Sequence, residues 1–306
     1  MPVFSIILPC FNAEATILQT LESLIAQTLT DWEAICVDDG STDGTAEVIR
    51  TAALRDPRIR MVRNKGKGPS QARNCGVQQH AQSALIAFCD ADDLWLPSKL
   101  AQLAQTFATP KIDGVYGQIG FFQANPFDTG VFSTVPHEPL SIQQLLGENP
   151  VCTMSNFALR RSVFVASGGF DVSMVHNEDL EWLIRLVGSG ARIIGVPTLQ
   201  TLYRTSIGGL STDLDAMLAG RNRAIAIAAQ FGIRPSAQSH AVHHRYLARR
   251  ALRLGDARTQ ALRHAVIGLS YSPVGFFTPL RRGGLTLVAA FGALILPRAT
   301  RQSLFS

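Results

Sequence analysis

Cysteine is scarce and unpatterned. The five cysteines, Cys10, Cys36, Cys75, Cys89 and Cys152, are odd in number, and none forms a CxxC pair or a Cys/His metal spacing. A disulfide framework and a thiolate zinc site are thereby excluded; reduced, mostly buried thiols in a cytoplasmic protein are expected. Span-length apolar runs are also missing. The last apolar stretch, residues 285–296, has twelve residues, where about 20 are needed to cross a bilayer. The opening MPVFSIILPCFN lacks a basic start and a small-residue cleavage site, so it reads as a strand and not as a secretory signal. No GxGxxG follows that strand, which argues against a dinucleotide fold for NAD.

Acidic residues nearly vanish from the far end. Residues 216–306 hold 13 arginines and one acid, Asp256, a balance of +12, whereas residues 1–215 hold 15 bases and 22 acids, a balance of −7. An acidic front suits a metal site. A basic end suits an anionic partner such as a phospholipid surface or a nucleic acid, or else is a solvated helical face. At 306 residues, 46% hydrophobic and 17% charged, the chain has room for one large domain with an appendage, or for two domains.

What is present is an alternation of strand and helix signals. Residues 3–8, 32–37, 59–62 and 84–89 are short apolar runs. Residues 14–25, 45–54 and 71–79 carry helical spacing between them, the last with Ser70 as cap. This predicts βαβ units and an α/β fold with a mostly parallel sheet, in which ligands bind beyond the carboxyl ends of the strands. From Gly114 to about Thr153 the pattern loosens into short strands and loops, including QANPFDTG. Helical spacing returns over 178–187, strand-like runs over 192–196 and 199–203, and helices are predicted over 214–231, 237–254 and 257–269. The expected division is a domain over 1–210 and an Arg-rich helical region over 211–306. The stretch 285–296, flanked by Arg281, Arg282, Pro297 and Arg298, reads either as a helix packed on the domain or as a segment lying in a membrane interface.

Four stretches carry chemistry. In FCDADDLWLPSKL, Asp90, Asp92 and Asp93 fall within four positions after an apolar run. Carboxylates this close repel, and a divalent cation bridging one or two of them to substrate phosphates is the simplest counter-charge; a solvated turn is the plain alternative. An EF-hand is excluded, because Trp95 and Ala101 stand where its Gly and Glu are needed. A phosphatase-type Asp-x-Asp-x-Thr loop would have Leu94 at its last position. VDDGSTDGT ends a strand with Asp38 and Asp39, offers Ser41 or Thr42 as a helix cap, and has Gly40 where the backbone can pass close to a ligand. A carboxylate there can accept an N–H from a nucleobase edge, though a plain Asp/Gly turn has the same composition. NKGKGPSQARNCG puts Lys65 and Lys67 near helix N-terminal amides suited to phosphate, with Arg73 one turn into the helix. HNEDLEWLIRL sets Glu178 and Asp179 at a helix start, where acids favour the helix dipole or, beside a crevice, act as a general base. His240 and His244 have the i, i+4 spacing of a metal pair but no acidic or cysteine partner, and with His243 read as a solvated face. Cys10 reads as a small packed residue.

In chain order, LPCFNAE, VDDGSTDGT, GPSQARNCG, CDADDLWLPSKL, GGFD, NEDLEWLIRL and LYR resemble the motifs of the family 2 glycosyltransferases, over roughly residues 3–204. The resemblance implies a GT-A fold, a Rossmann-like sheet flanked by helices, here with a helical C-terminal extension. It implies a nucleotide-diphospho-sugar donor, a UDP-sugar first of all, a divalent Mn²⁺ or Mg²⁺, and inversion at the anomeric carbon. Carried over by position, Pro9 and Phe11 lie beside the base and Asp39 hydrogen-bonds it. Arg73 sits near the donor phosphates or base. Asp90 approaches the ribose or metal, Asp92 coordinates the metal, and Arg204 reaches toward the diphosphate. Asp179 is the catalytic base, with Glu178 beside it. The implied acceptor is a glycan or lipid-linked glycan of cell-envelope polysaccharide synthesis. Peripheral contact with the inner face of a membrane through the C-terminal region is expected, and no nucleic-acid partner.

Processive synthases of the family carry Gln-x-x-Arg-Trp and several membrane spans. This chain has neither, its tryptophans being Trp32, Trp95 and Trp182, so transfer of one or a few sugars is expected. Competing readings are a phosphoryl-transfer enzyme built on Asp90 and Asp92, a non-catalytic nucleotide-sugar-binding module, and a nucleic-acid binder. The last lacks the interleaved aromatics of a single-strand platform.

Overall fold

A computed structural model describes residues 1–174, 176–205, 214–254 and 258–296. The chain forms two compact units, one of Met1–Leu140 with Pro150–Gly220 and one of Ser141–Asn149 with Arg221–Ser306. The excursion Ser141–Asn149 into the second unit has no compositional signal, so a division read at residue 210 does not include it.

The chain begins β1 (Phe4–Cys10), α1 (Ile17–Ile25), β2 (Trp32–Asp38), α2 (Thr45–Arg55), β3 (Ile59–Arg63), α3 (Pro69–Cys75), β4 (Leu85–Phe88), β5 (Leu94–Trp95), α4 (Lys99–Phe107), β6 (Gly114–Phe122) and β7 (Val131–Phe132). After α5 (Ile142–Gly147), in the second unit, come β8 (Phe157–Arg160), α6 (Arg161–Ala166), α7 (Glu178–Gly188) and β9 (Ile193–Arg204). One sheet runs in the order β3-β2-β1-β4-β8-β6-β9-β5, with β7 beside β6. The α/β expectation holds, but only the first four strands are parallel throughout. β8 is antiparallel to β4 and β6, β9 is parallel to β6, and β5 is antiparallel to β9. The helical crossovers read from the sequence govern the parallel half; in the other half β8 and β5 run against their neighbours and make it mixed.

β1 and β2 are buried along nearly their whole length, as parallel strands covered on both faces should be. Ile17, Leu21 and Leu24 of α1 and Leu100 and Leu103 of α4 close onto them. A second apolar cluster centres on Trp182 of α7. Its ring lies 4.2 Å from that of Phe170, 5.4 Å from Phe164, 5.8 Å from Phe157 and 5.9 Å from Phe88, and its Nε1–H donates to Ser167 Oγ at 2.9 Å. This cluster holds the start of α7 against the carboxyl side of β4.

Local details differ from the sequence expectations for identifiable reasons. α3 starts at Pro69 with Gly68 as cap (φ +87°), and Ser70 lies inside its first turn. Proline fits the first helical position because its missing N–H is unneeded there. Ser41 and Thr42 do not cap α2; Ser41 Oγ accepts from Asn12 N and Thr42 N donates to Asn12 Oδ1. The α2 start is served instead by Asp43 Oδ1, which accepts from Thr45 N, and by Glu14 Oε2, which accepts from Gly44 N. The runs over 192–196 and 199–203 are one strand, β9, with a register shift against β6 near Gln118.

The second unit holds α9 (Ala237–Leu254), α10 (Arg258–Tyr271), α11 (Pro273–Phe276), α12 (Leu280–Ile295) and most of the preceding α8 (Leu214–Gln230). Its core is lined by Ala241, Ala248, Ala251, Ala261, Ala265, Ala290 and Ala293 around Phe276. Glu148 meets Arg245, Arg249 and Arg282 at 3.7, 3.8 and 3.3 Å. The histidines are not a solvated face. His240 stacks on Tyr271 at 4.5 Å, His244 Nδ1 is 3.0 Å from His264 Nδ1, and His243 is buried. Tyr271 and His264 of α10 cover His240 and His244, which helical spacing within α9 alone does not reveal. Asp256, Pro297 and Arg298 lie outside the described residues. Among those residues no helix is long and apolar enough to cross a membrane.

Trp182→Ala removes the centre of the aromatic cluster, and such truncations cost about 3–5 kcal/mol. A denaturant midpoint shifted by that amount is the expected result, and an unchanged midpoint would show that the cluster does not hold the unit together.

Candidate active site

Both acidic loops hang from the carboxyl half of β1. Cys10 pairs in register with Asp38, Asp39 N donates to Cys10 O at 2.8 Å, and Cys89 N donates to Ile7 O at 3.0 Å. The loops after β2 and β4 therefore open on the same edge of the sheet, on either side of Pro9 and Phe11. Phe11 is half-exposed (54%), with Lys67 Nζ 5.1 Å from its ring centre.

The NKGKG loop folds over Asp39. Asn64 Nδ2 donates to Asp39 Oδ1 at 2.6 Å, Gly68 N to Oδ2 at 2.9 Å, and Lys67 Nζ to the Asp39 carbonyl at 2.9 Å. The Asp39 carboxylate is fixed by its own chain yet keeps acceptor capacity, since a carboxylate has about four lone-pair sites. Gly40 takes φ +82° beneath Lys67, a left-handed geometry that a side chain resists.

Arg73 joins the second acidic loop to α7. Its side chain is almost fully buried, and its guanidinium donates to Asp90 Oδ1 at 2.7 Å and to Glu178 Oε1 at 3.2 Å. It also lies 5.4 Å from the ring centre of Phe170. The next residue, Asn74, clamps Phe170 through both backbone groups, accepting from its N–H and donating to its C=O. Asp90 is further held by Thr153 Oγ1, which donates to Oδ2 at 3.0 Å, and its N–H donates to Ser155 Oγ at 2.8 Å.

Asp93 and Arg204 close the other side. Asp93 is fully buried and accepts from Arg204 N at 2.9 Å, which fastens the end of β9 to the DADD turn. The Arg204 Nε donates to the Asp92 carbonyl, and its Nη2 to Gln19 Oε1. Lys99 is buried nearby. It donates to Ser155 O and Thr201 Oγ1, each at 2.8 Å, and sits 4.5 Å over the Trp95 ring. Burial pulls Lys99 down to about 7 and pushes Asp93 well above the usual carboxylate range, with Asp92 and Asp90 adding to the latter.

The charges do not balance evenly. Arg73 gives its hydrogen bonds to Asp90 and Glu178. Asp92 is pushed up to about 6 by lost solvation and by Asp90. Asp179, in the first turn of α7, is pushed up to about 7 by lost solvation and by Glu178. One carboxyl beside the DADD loop and one at the helix start are thus poised near neutrality, where a cation or a transferred proton has most effect. Among the described residues no three His, Cys, Asp or Glu side chains converge to hold a metal ion by themselves. The oxygen donors at Asp92 and Asp90 fit a hard divalent ion that takes its other ligands from phosphate and water.

Asn64, Asn74, Lys99, Thr153 and Ser155 were not singled out from sequence, and Asp93 was read only as part of the aspartate cluster. Asn64 and Asn74 lie inside the quoted basic loop, and Asp93 and Lys99 inside FCDADDLWLPSKL. Thr153 and Ser155 sit where the sequence pattern is loosest and carry no local signal.

The glycosyl transferase family 2 model matches residues 5–167, just over half of the chain, and the chain belongs to that family. It is a glycosyltransferase by that membership. A UDP-Glc:alpha-D-GlcNAc-diphosphoundecaprenol beta-1,3-glucosyltransferase of Escherichia coli, WfaP, is 28% identical over 216 residues, which is 70% of this chain and 81% of the relative. In fold, TarS of S. aureus matches with a TM-score of 0.61 at 18% identity, over 99% of this chain and 55% of TarS; this chain thus spans about half of that protein. The mannosyltransferase PcManGT of Pyrobaculum calidifontis, solved in complex with GDP-Man and Mn²⁺, matches with a TM-score of 0.61 at 19% identity, over 99% of this chain and 84% of that one.

Asp179 ties the site to stability. With its pKa raised from 3.8 to about 7, the folded chain favours the protonated carboxyl. Its contribution is present below pH 3.8 and is lost as pH rises through about 7. Asp179→Asn, neutral throughout, should unfold at higher denaturant than the parent above pH 7, with the gap closing toward pH 4. A gap independent of pH would contradict the raised value.

Proposed function

We propose that this transferase moves a sugar from a nucleotide-diphospho-sugar, a UDP-sugar first of all, to a hydroxyl of a lipid-linked glycan, with inversion and with a divalent metal. The carrying observation is the Arg73 bridge from Asp90 to Glu178. Through it, the aspartate loop suited to a metal diphosphate and the acids at the start of α7 belong to one site. The name of the Escherichia coli relative supports the UDP-sugar and the lipid-linked acceptor, and the GDP-Man and Mn²⁺ of the archaeal neighbour support the metal.

In this reading Pro9 and Phe11 flank the base and Asp39 accepts its N–H, held at a fixed angle by Asn64 and Gly68. Asp92 and Asp90 would hold the cation, which supplies charge neutralisation for the leaving diphosphate when bound. Arg204 orients Asp92 through its carbonyl and faces the diphosphate. Asp179 takes the proton from the acceptor hydroxyl. That oxygen attacks the anomeric carbon opposite the phosphate, the bond to the phosphate oxygen breaks, and the nucleoside diphosphate leaves with the electron pair. Arg73 positions both acids through its bonds to Asp90 and Glu178. One or a few sugars are added per acceptor. The protein works at the cytoplasmic side, in contact with membrane.

The deciding experiment is thermal stability with a nucleotide panel, with and without Mn²⁺. A ligand at 100 times its Kd adds about 2.7 kcal/mol. Metal-dependent stabilisation by one nucleoside diphosphate, lost in Asp92→Ala, is the expected result; no shift with any nucleotide in a folded sample would move the phosphoryl-transfer reading ahead.

Kinetics supply a second check. The kcat/KM should rise with pH through an apparent pKa near 7, the value at Asp179, because the base must be deprotonated. Asp179→Asn should lower kcat by roughly 10²–10⁴-fold in a protein no less stable than the parent. Activity within a few fold of the parent would remove Asp179 as the base.

A further inference from the structure

Helix α12 is built inside out. Its small residues Gly283, Thr286, Ala290 and Ala293 face inward and are buried. Its large apolar residues Leu285, Val288, Phe291 and Ile295 face outward, with exposures of 61, 71, 53 and 86%. These recur at helical spacing, so they form one stripe. The only charges on the helix are Arg281 and Arg282 in its first turn. An exposed apolar stripe of this kind marks a surface that something else covers.

We infer that α12 lies in the surface of an anionic lipid bilayer, with this stripe among the acyl chains and the arginines of its unit at the headgroups. Charge selects this occupant. The second unit carries 13 arginines against two acids, Glu148 and Asp256, and Glu148 is already engaged by Arg245, Arg249 and Arg282. Arg223, Arg234, Arg263 and Arg281 are exposed. A second copy of the chain would bring the same excess of positive charge to the contact, whereas anionic headgroups neutralise it. A nucleic acid would meet the charge but leave the apolar stripe in water. The geometry suits an in-plane helix: sixteen residues make about 24 Å, and the helix cannot cross a membrane. Exposed apolar surface with basic residues at the rim is the composition of interfacial helices.

The test uses the full chain, without sugar donor or metal, so its outcome is separate from that of the transferase reading. Co-sedimentation is measured with vesicles of phosphatidylcholine alone and of phosphatidylcholine with phosphatidylglycerol. The chain should partition to the anionic vesicles and much less to the neutral ones. Val288→Glu with Phe291→Glu should weaken that partitioning by roughly tenfold or more and leave the unfolding temperature unchanged, since both side chains are exposed. Leu54→Glu, at an equally exposed leucine of α2 in the first unit, should behave as the parent. Equal partitioning of the double variant would overturn the inference, because the arginines alone would then suffice. Absence of vesicle binding, with or without a dimer that the double variant separates, would overturn it too.

Discussion

A single buried guanidinium organises the site. Arg73 carries one positive charge among Asp90, Glu178 and Asp179, and it makes its ion pairs with Asp90 and Glu178. Removing one partner of a buried pair commonly costs about 3–5 kcal/mol, because the other charge is left uncompensated. That penalty fixes three elements at once: α3, which carries Arg73; the turn after β4, which carries Asp90; and the first turn of α7, which carries Glu178. Asp92 and Asp179, the acids held near neutrality, are those on which the proposed chemistry rests. Lost solvation, with a neighbouring carboxylate adding to it, holds both Asp92 and Asp179 near neutrality.

Around this arginine the frame is redundant. Asn74 holds the Phe170 backbone, Arg185 pairs with Glu181 at 2.6 Å and donates to the carbonyls of Ser167 and Gly169, and Trp182 fills the space behind α7. Asn74 ties the GGF turn to α3, and the Arg185 and Trp182 contacts tie it to α7. A base placed at a helix start is only as well aimed as the helix, and here the helix is held by packing on one side and by charged hydrogen bonds on the other. Asp93 does the same for the far wall, since its buried carboxylate accepts from the backbone where β9 ends, next to the Asp92 carbonyl bound by Arg204.

Much of this was legible in the chain. The parallel half of the sheet follows from apolar runs alternating with helical spacing, because helices cross over between its strands. The two aspartate loops were legible as sites because close carboxylates after a strand are costly without a partner. The mixed half was less legible, because its strands are short or irregular and pair out of chain order. The partners within the site were less legible still. Thr153, which holds Asp90, stands 63 residues away, and Arg204, whose backbone holds Asp93, stands 111 residues away. The histidines of α9 misled for the same reason, since the neighbours that stack on them come from α10.

The sequence by itself determined the fold class, the family and the position of each acidic loop at a strand end, because periodicity, turn residues and motif order are local properties of a chain. Only the tertiary structure decided which acids share a counter-charge, which are left near neutrality, and which side of α12 faces out. Those outcomes depend on distance and burial between residues far apart in the chain. Coulomb energy and desolvation act through space, and separation along the sequence does not report it.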